Sequence, residues 1–126
     1  MPANQDHALD VIALGRSSVD PYGQQIGSRL EDIATFSKSV GGCPANIAVG
    51  TARLGLKSGL ITGVGAEQMG RFIIEQCARE GVATQGIKID KERLTALVLL
   101  AVEDEGVSPM IFYRPDCADM AITEDD

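Results

Sequence analysis

The sequence predicts an α/β fold in which helices cover a parallel sheet and a small β unit stands beside it. Three observations point there. The run Val11-Ile12-Ala13-Leu14-Gly15 is short, apolar on both faces and rich in strand formers, as a central parallel strand is. Two helical stretches follow, one ending at Gly55 and one at Gly81, and apolar runs alternate with them. Two longer apolar runs, 95–102 and 109–114, flank Asp104-Glu105-Gly106 and read as an antiparallel hairpin.

Composition bounds the function. A chain of 126 residues makes one small domain or part of a larger one, and 44 % hydrophobic content is ordinary for a globular protein. A net charge of -7, with the 11 Lys and Arg scattered, excludes unspecific nucleic-acid binding, which needs clustered cations. The 3 cysteines, Cys43, Cys77 and Cys117, lack metal-ligand spacing. They fit a reducing cytosol and a packing role, and no metal site is expected. No run approaches the roughly 20 apolar residues of a membrane span, and residues 1–10 lack an apolar signal core. A cytoplasmic protein without membrane contact is the expectation. Residues 1–8 read as a disordered tail, and His7 there as a solvated side chain.

The strand at 11–15 opens into Gly15-Arg16-Ser17-Ser18-Val19-Asp20. Ligands gather at the carboxyl ends of strands in open α/β sheets, so Asp20 is a candidate for gripping hydroxyl groups, two of which one carboxylate can accept. The competing reading is a turn former. Residues 21–40 keep no helical period and suggest two short strands, 19–23 and 35–39.

Gly41-Gly42-Cys43-Pro44-Ala45-Asn46-Ile47-Ala48 is the stretch around which the rest is organised. Two glycines let a ligand approach the backbone, and Pro44 fits the first helical position. The free N–H groups of that first turn then face outward as a site for an anion or a hydroxyl oxygen. The plain alternative is a sharp loop entering a helix. From 44 to 54, Ala45, Ala48, Val49 and Ala52 share one helical face, and Gly55 ends it.

Two near misses are excluded by context. Gly50, Gly55, Lys57 and Ser58 almost spell a phosphate-binding loop, but Leu56 intrudes and the glycines end a helix instead of opening one. Gly63-x-Gly65 precedes Gly70 by five residues where a dinucleotide fingerprint requires three, so no pyrophosphate cradle forms. Strand 59–64 leads to Gly65-x-Glu67-x-x-Gly70, where Glu67 favours a helix start by its charge. Met69, Phe72, Ile73 and Cys77 then share a helical face, and 82–90 returns to the sheet.

In the second arm of the hairpin, alternation sends Met110, Phe112 and Arg114 to one side and Ile111 and Tyr113 to the other. By itself Arg114 is either an exposed basic residue at a strand end or a ligand for an anion.

The array Gly41-Gly42, Asn46, Ala48, Gly55, Gly65 and Gly70 resembles the first signature of the ribokinase-like (PfkB) carbohydrate kinases. The resemblance runs over 10–126 and is strongest in Leu14-Gly15-Arg16, Gly42-x-Pro44-Ala45-Asn46-Ile47-Ala48 and Phe112-Tyr113-Arg114-x-x-Cys117-Ala118-Asp119. These segments are similar to those of family members that phosphorylate keto-deoxy sugar acids in inositol breakdown. It implies the amino-terminal part of a ribokinase-like fold, a Rossmann-like parallel sheet with helices (about 9–18, 41–93 and 116–126) and a β lid (about 19–40 and 94–115). It also implies acceptor binding by Asp20, Gly41, Gly42, Asn46, Arg114, Arg16 and Tyr113, with a guanidinium meeting the substrate carboxylate. Cys43 replaces the usual Ser, Gly63 a basic residue and Ala66 an Asp.

Family members run to roughly 300 residues, near the upper size of one domain. The second family signature, Gly-Ala-Gly-Asp with its catalytic aspartate, is not in this sequence. The resemblance therefore implies a chain without catalytic residues, whose full-length form uses ATP and Mg2+ that these 126 residues do not bind alone. Two readings stay open: the inactive acceptor-binding part of a sugar-acid kinase, and a short module that binds a sugar acid or a partner without catalysis. A homodimer through the lid strands is expected from the family.

Overall fold

The computed structural model of the chain describes residues 8–103 and 108–126. Most of the predicted tail, with His7, and the hairpin tip Asp104-Glu105-Gly106 lie outside the described residues. The described residues form two sheets. Strands β1 (Val11–Leu14), β4 (Ser58–Gly65) and β5 (Ile87–Asp90) form a parallel sheet in the order β1-β4-β5. Strands β2 (Ser18–Gly23), β3 (Phe36–Gly41), β6 (Leu97–Leu100) and β7 (Met110–Tyr113) form the second, in the order β3-β2-β6-β7. This is the mixed α/β architecture with a small β unit that the sequence predicts.

Both helices pack on the parallel sheet. In α1 (Cys43–Arg53), Ala45 and Ala48 are fully buried, and in α2 (Gln68–Arg79) so are Ile73 and Cys77. These side chains close on Ala13, Leu60 and Val64 of the sheet and on Val19 of β2, so one core joins the two sheets. Small residues on α1 let the helix lie close to glycine-rich β4, where Leu60 is 1 % exposed and Val64 fully buried.

The boundaries differ from expectation in instructive ways. Helix α1 begins at Cys43 with Gly42 as its cap, so Pro44 is the second helical residue, not the first. Its missing N–H is equally harmless there, because no first-turn N–H has a partner within the helix. Cys43 is exposed at that first position, which corrects the packing role expected of it, whereas Cys77 and Cys117 are buried. Strand β3 runs on to Gly41, pairing it with Ser18, so the ladder delivers the chain directly into the helix cap. Of the return segment 82–90 only Ile87–Asp90 is a strand. Ala83 makes a lone bridge to Gly59, and a turn closed by Ile87 N–H on the Thr84 carbonyl at 3.1 Å interrupts the ladder between them.

Strands β6 and β7 pair antiparallel as the sequence predicts, but β6 also pairs parallel with β2, placing Val19 opposite Leu97. That junction joins two chain segments that the sequence alone leaves separate. Strand β1 lies at the edge of the described sheet, not at its centre as expected, and on its face turned from the helices Ile12 and Leu14 are 58 % and 64 % exposed. Among the described residues no helix is long and apolar enough to cross a membrane.

Candidate functional site

The site begins with two backbones forced together. Gly15 leaves β1 with φ +140°, and a Cβ there would stand 2.9 Å from the Pro44 ring. Gly42 has φ +94°, and its Cβ would stand 2.6 Å from the Arg16 carbonyl oxygen. Both conformations belong to glycine, and both contacts exclude a side chain. The loop after β1 therefore lies directly on the amino end of α1. Ser17 fastens it from below, its hydroxyl 2.9 Å from that of Thr62 on β4.

Asp20 stands above this junction. Its carboxylate lies over Gly41 in the space a Cβ would occupy, and the Ser18 hydroxyl donates to it at 2.6 Å. Burial pushes the Asp20 carboxyl above its ordinary value of 3.8, while the Ser18 hydrogen bond and the charge of Arg114 act in the opposite direction. A half-buried carboxylate held from one side keeps acceptor capacity on the other. Arg114, just beyond β7, stacks its guanidinium on the Phe112 ring at 4.3 Å, as expected for side chains two apart on one strand face. Tyr113 projects from the opposite face and is 53 % exposed.

Arg16 is anchored. Its Nε and Nη2 donate to the two carboxylate oxygens of Asp119 at 2.6 and 3.1 Å, and Nη2 also donates to the Arg114 carbonyl at 3.0 Å. The predicted residues Asp20, Gly41, Gly42, Arg16 and Arg114 thus form one constellation. Asn46 lies on the first turn of α1 and lines a neighbouring groove of about 380 Å³ with Lys38, Phe72 and Gln76, in which neither Asp20 nor Arg114 takes part.

Three participants escaped the sequence reading. Asp119 pairs across 103 residues of chain, a separation that no local pattern encodes. Ser18, to which the sequence assigns no role, opens β2 and donates to Asp20. Thr95 meets Glu67: its N–H donates to Oε2 at 3.0 Å and its hydroxyl to Oε1 at 2.6 Å, while Gly70 N–H donates to Oε1 at 2.7 Å. Glu67 thus caps α2 with its side chain and also ties it to the segment entering β6. Burial pushes the Glu67 carboxyl up, but these hydrogen bonds and the charge of Arg71 together hold it below its ordinary 4.5. A carboxyl whose folded value is depressed stabilises the fold above the unfolded value, and that contribution is lost as pH falls through the folded value. Thermal melting between pH 7 and 3 should show stability declining below about 4.5, with Glu67→Gln removing that part of the slope and about 1 kcal/mol of stability.

Among the described residues no group of three or more His, Cys, Asp or Glu could hold a metal ion. The constellation offers a carboxylate able to accept from hydroxyls, a loop without side chains and a guanidinium able to pair with an anion.

Residues 8–126 match the model of the pfkB family of carbohydrate kinases. A 5-dehydro-2-deoxygluconokinase of Geobacillus kaustophilus is 38 % identical over the whole of this chain, and one of Bacillus subtilis is 37 % identical over 93 % of it. The chain spans only 38 % and 36 % of those two relatives. Among solved structures, a sugar kinase of Pyrococcus horikoshii in complex with ATP superposes with a TM-score of 0.83 at 34 % identity, over 90 % of this chain and 36 % of that one. The Halothermothrix orenii fructokinase superposes with a TM-score of 0.81 at 36 % identity, over 94 % of this chain and 41 % of that one. Family model, sequence relatives and superposed structures converge, and the chain belongs to the pfkB family of carbohydrate kinases.

Proposed function

We propose that this chain is the acceptor-binding part of an ATP-dependent carbohydrate kinase whose acceptor is a keto-deoxy sugar acid, 5-dehydro-2-deoxygluconate or a close analogue. The observation that carries this reading is the Asp20 carboxylate seated on Gly41 with the charge of Arg114 acting on it. Asp20 accepts the acid's hydroxyls, the N–H groups around Gly42 approach its oxygens, and Arg114 pairs with its carboxylate. The names of the curated relatives support the choice of acid. ATP and magnesium are held by chain outside these 126 residues, consistent with the short share of each relative that the chain spans. Phosphoryl transfer needs donor, metal and base positioned together, so the chain alone transfers nothing.

Joining residues 1–126 to the remaining carboxyl-terminal part of the Geobacillus kaustophilus relative tests this. The joined protein should phosphorylate the acid at the expense of ATP, and the 126-residue chain should not. Turnover by the short chain, or a joined protein that melts cooperatively and binds ATP yet leaves the acid untouched, would contradict the proposal. Saturable acid binding without transfer by that same joined protein would favour a non-catalytic binding module.

A further inference from the structure

The lid residue that carries the positive charge is not held by its own strand. Arg114 lies one residue past the end of β7, where the ladder to β6 has stopped at Tyr113 opposite Leu97. Its carbonyl is instead bound by Nη2 of Arg16, which comes from the loop following β1. Arg16 in turn is clamped through Nε and Nη2 by Asp119, whose side chain is 1 % exposed. Asp119 belongs to a short 3-10 turn, Ala118–Met120, seated on β4, and that seat is tight: Ala118 N–H donates to the Leu94 carbonyl at 2.9 Å, and the Ala118 carbonyl fills the space above Gly63. A buried carboxylate is costly unless paired, so Asp119 fixes Arg16 in one orientation. The planar guanidinium then has one direction left for its bond to the strand end.

We propose that Asp119, acting through Arg16, is a positioning residue that sets where the Arg114 guanidinium stands relative to Asp20. The inference rests on the reading of Arg114 as the carboxylate ligand. Asp119 does not touch the acceptor. It fixes the backbone from which the acceptor's carboxylate partner projects, and it does so from the core sheet, so lid and core share one reference point. The effect therefore falls on acidic acceptors, because a neutral sugar has no group for Arg114 to meet.

The test compares affinities of the chain for 5-dehydro-2-deoxygluconate and for fructose, by titration calorimetry, in four forms: unchanged, Arg114→Ala, Asp119→Asn and the double variant. Asp119→Asn should weaken the acid about 10-fold, in proportion to one charge-assisted hydrogen bond, and leave fructose unchanged. In the Arg114→Ala background it should add no further loss for the acid. Arg16→Lys keeps the charge but loses the fork, and it should reproduce the Asp119→Asn loss where that variant folds poorly. Equal losses for both sugars in Asp119→Asn and Arg16→Lys, or a loss that adds fully to that of Arg114→Ala, would make Asp119 a structural residue only and overturn the inference. If Arg114→Ala itself spared the acid, the reading of Arg114 would fail first, and the inference with it.

Discussion

Replacing Arg114 by alanine should lower affinity for the keto-deoxy sugar acid by about 10- to 100-fold while leaving a neutral sugar such as fructose almost unaffected, because a hydrogen bond to a charged group contributes roughly 1.5–3 kcal/mol. Its setting favours a large effect. The guanidinium is stacked on Phe112, its backbone is held by Arg16, and Asp20 feels its charge. Little ordering then remains to be done on binding. Arg114→Lys should recover only part of the loss, since an ammonium cannot offer two parallel donors. Asp20→Asn should weaken both sugars, as hydroxyls are common to them. Calorimetric titration separates these patterns, and equal losses for acid and neutral sugar in Arg114→Ala would remove Arg114 from the carboxylate role.

The second large effect concerns stability. Gly63→Ala should destabilise the chain by about 3 kcal/mol or more. The added methyl meets the Ala118 carbonyl, a backbone group that cannot swing aside as a side chain would. Relief requires lifting the 3-10 turn at Ala118–Met120 from β4, which breaks the bond from Ala118 N–H to Leu94 and separates Asp119 from Arg16. Gly50→Ala is the matched control, with nothing within 4 Å of the new methyl. There alanine should be neutral or stabilise by about 0.4–1 kcal/mol, from helix propensity and a smaller unfolded-state entropy. Denaturant unfolding of the two variants checks the contrast, and similar midpoints would show that the seat over Gly63 is loose. The same geometry accounts for glycine where the family resemblance leads one to expect a basic residue: the backbone of the following turn occupies that space.

Much of this molecule can be read from the sequence where the cause is local. Gly55 and Gly81 end their helices at φ +93° and +83°, as residues without Cβ do, and the apolar run at Val11–Leu14 is a strand of the parallel sheet. Glycines at 41 and 42 read as room for a ligand beside the backbone, whereas in the structure the space over them is taken by the Asp20 carboxylate and the Arg16 carbonyl. What stayed hidden depends on contacts far apart in the chain. Neither the parallel pairing of β2 with β6 nor the clamp of Asp119 on Arg16 leaves a periodic trace, because each joins elements separated by the intervening core. The return segment 82–90 differs for a local reason: the turn at Thr84-Gln85-Gly86, closed by Ile87 N–H on the Thr84 carbonyl, reads as strand by the apolar content on either side, while Gly86 lies too close to the Leu60 carbonyl for a Cβ.

The central claim is that a side-chain-free loop, an aspartate and an arginine together hold a sugar acid. The most direct measurement is a titration of the isotopically labelled 126-residue chain with 5-dehydro-2-deoxygluconate, followed by backbone amide NMR. Shifts concentrated at Asp20, Gly41, Gly42 and Arg114, saturating with one affinity, are the predicted result. Saturating shifts that instead gather elsewhere, such as the apolar groove between Ile12 and Gly86, or no saturable shifts with the fold intact, would contradict it.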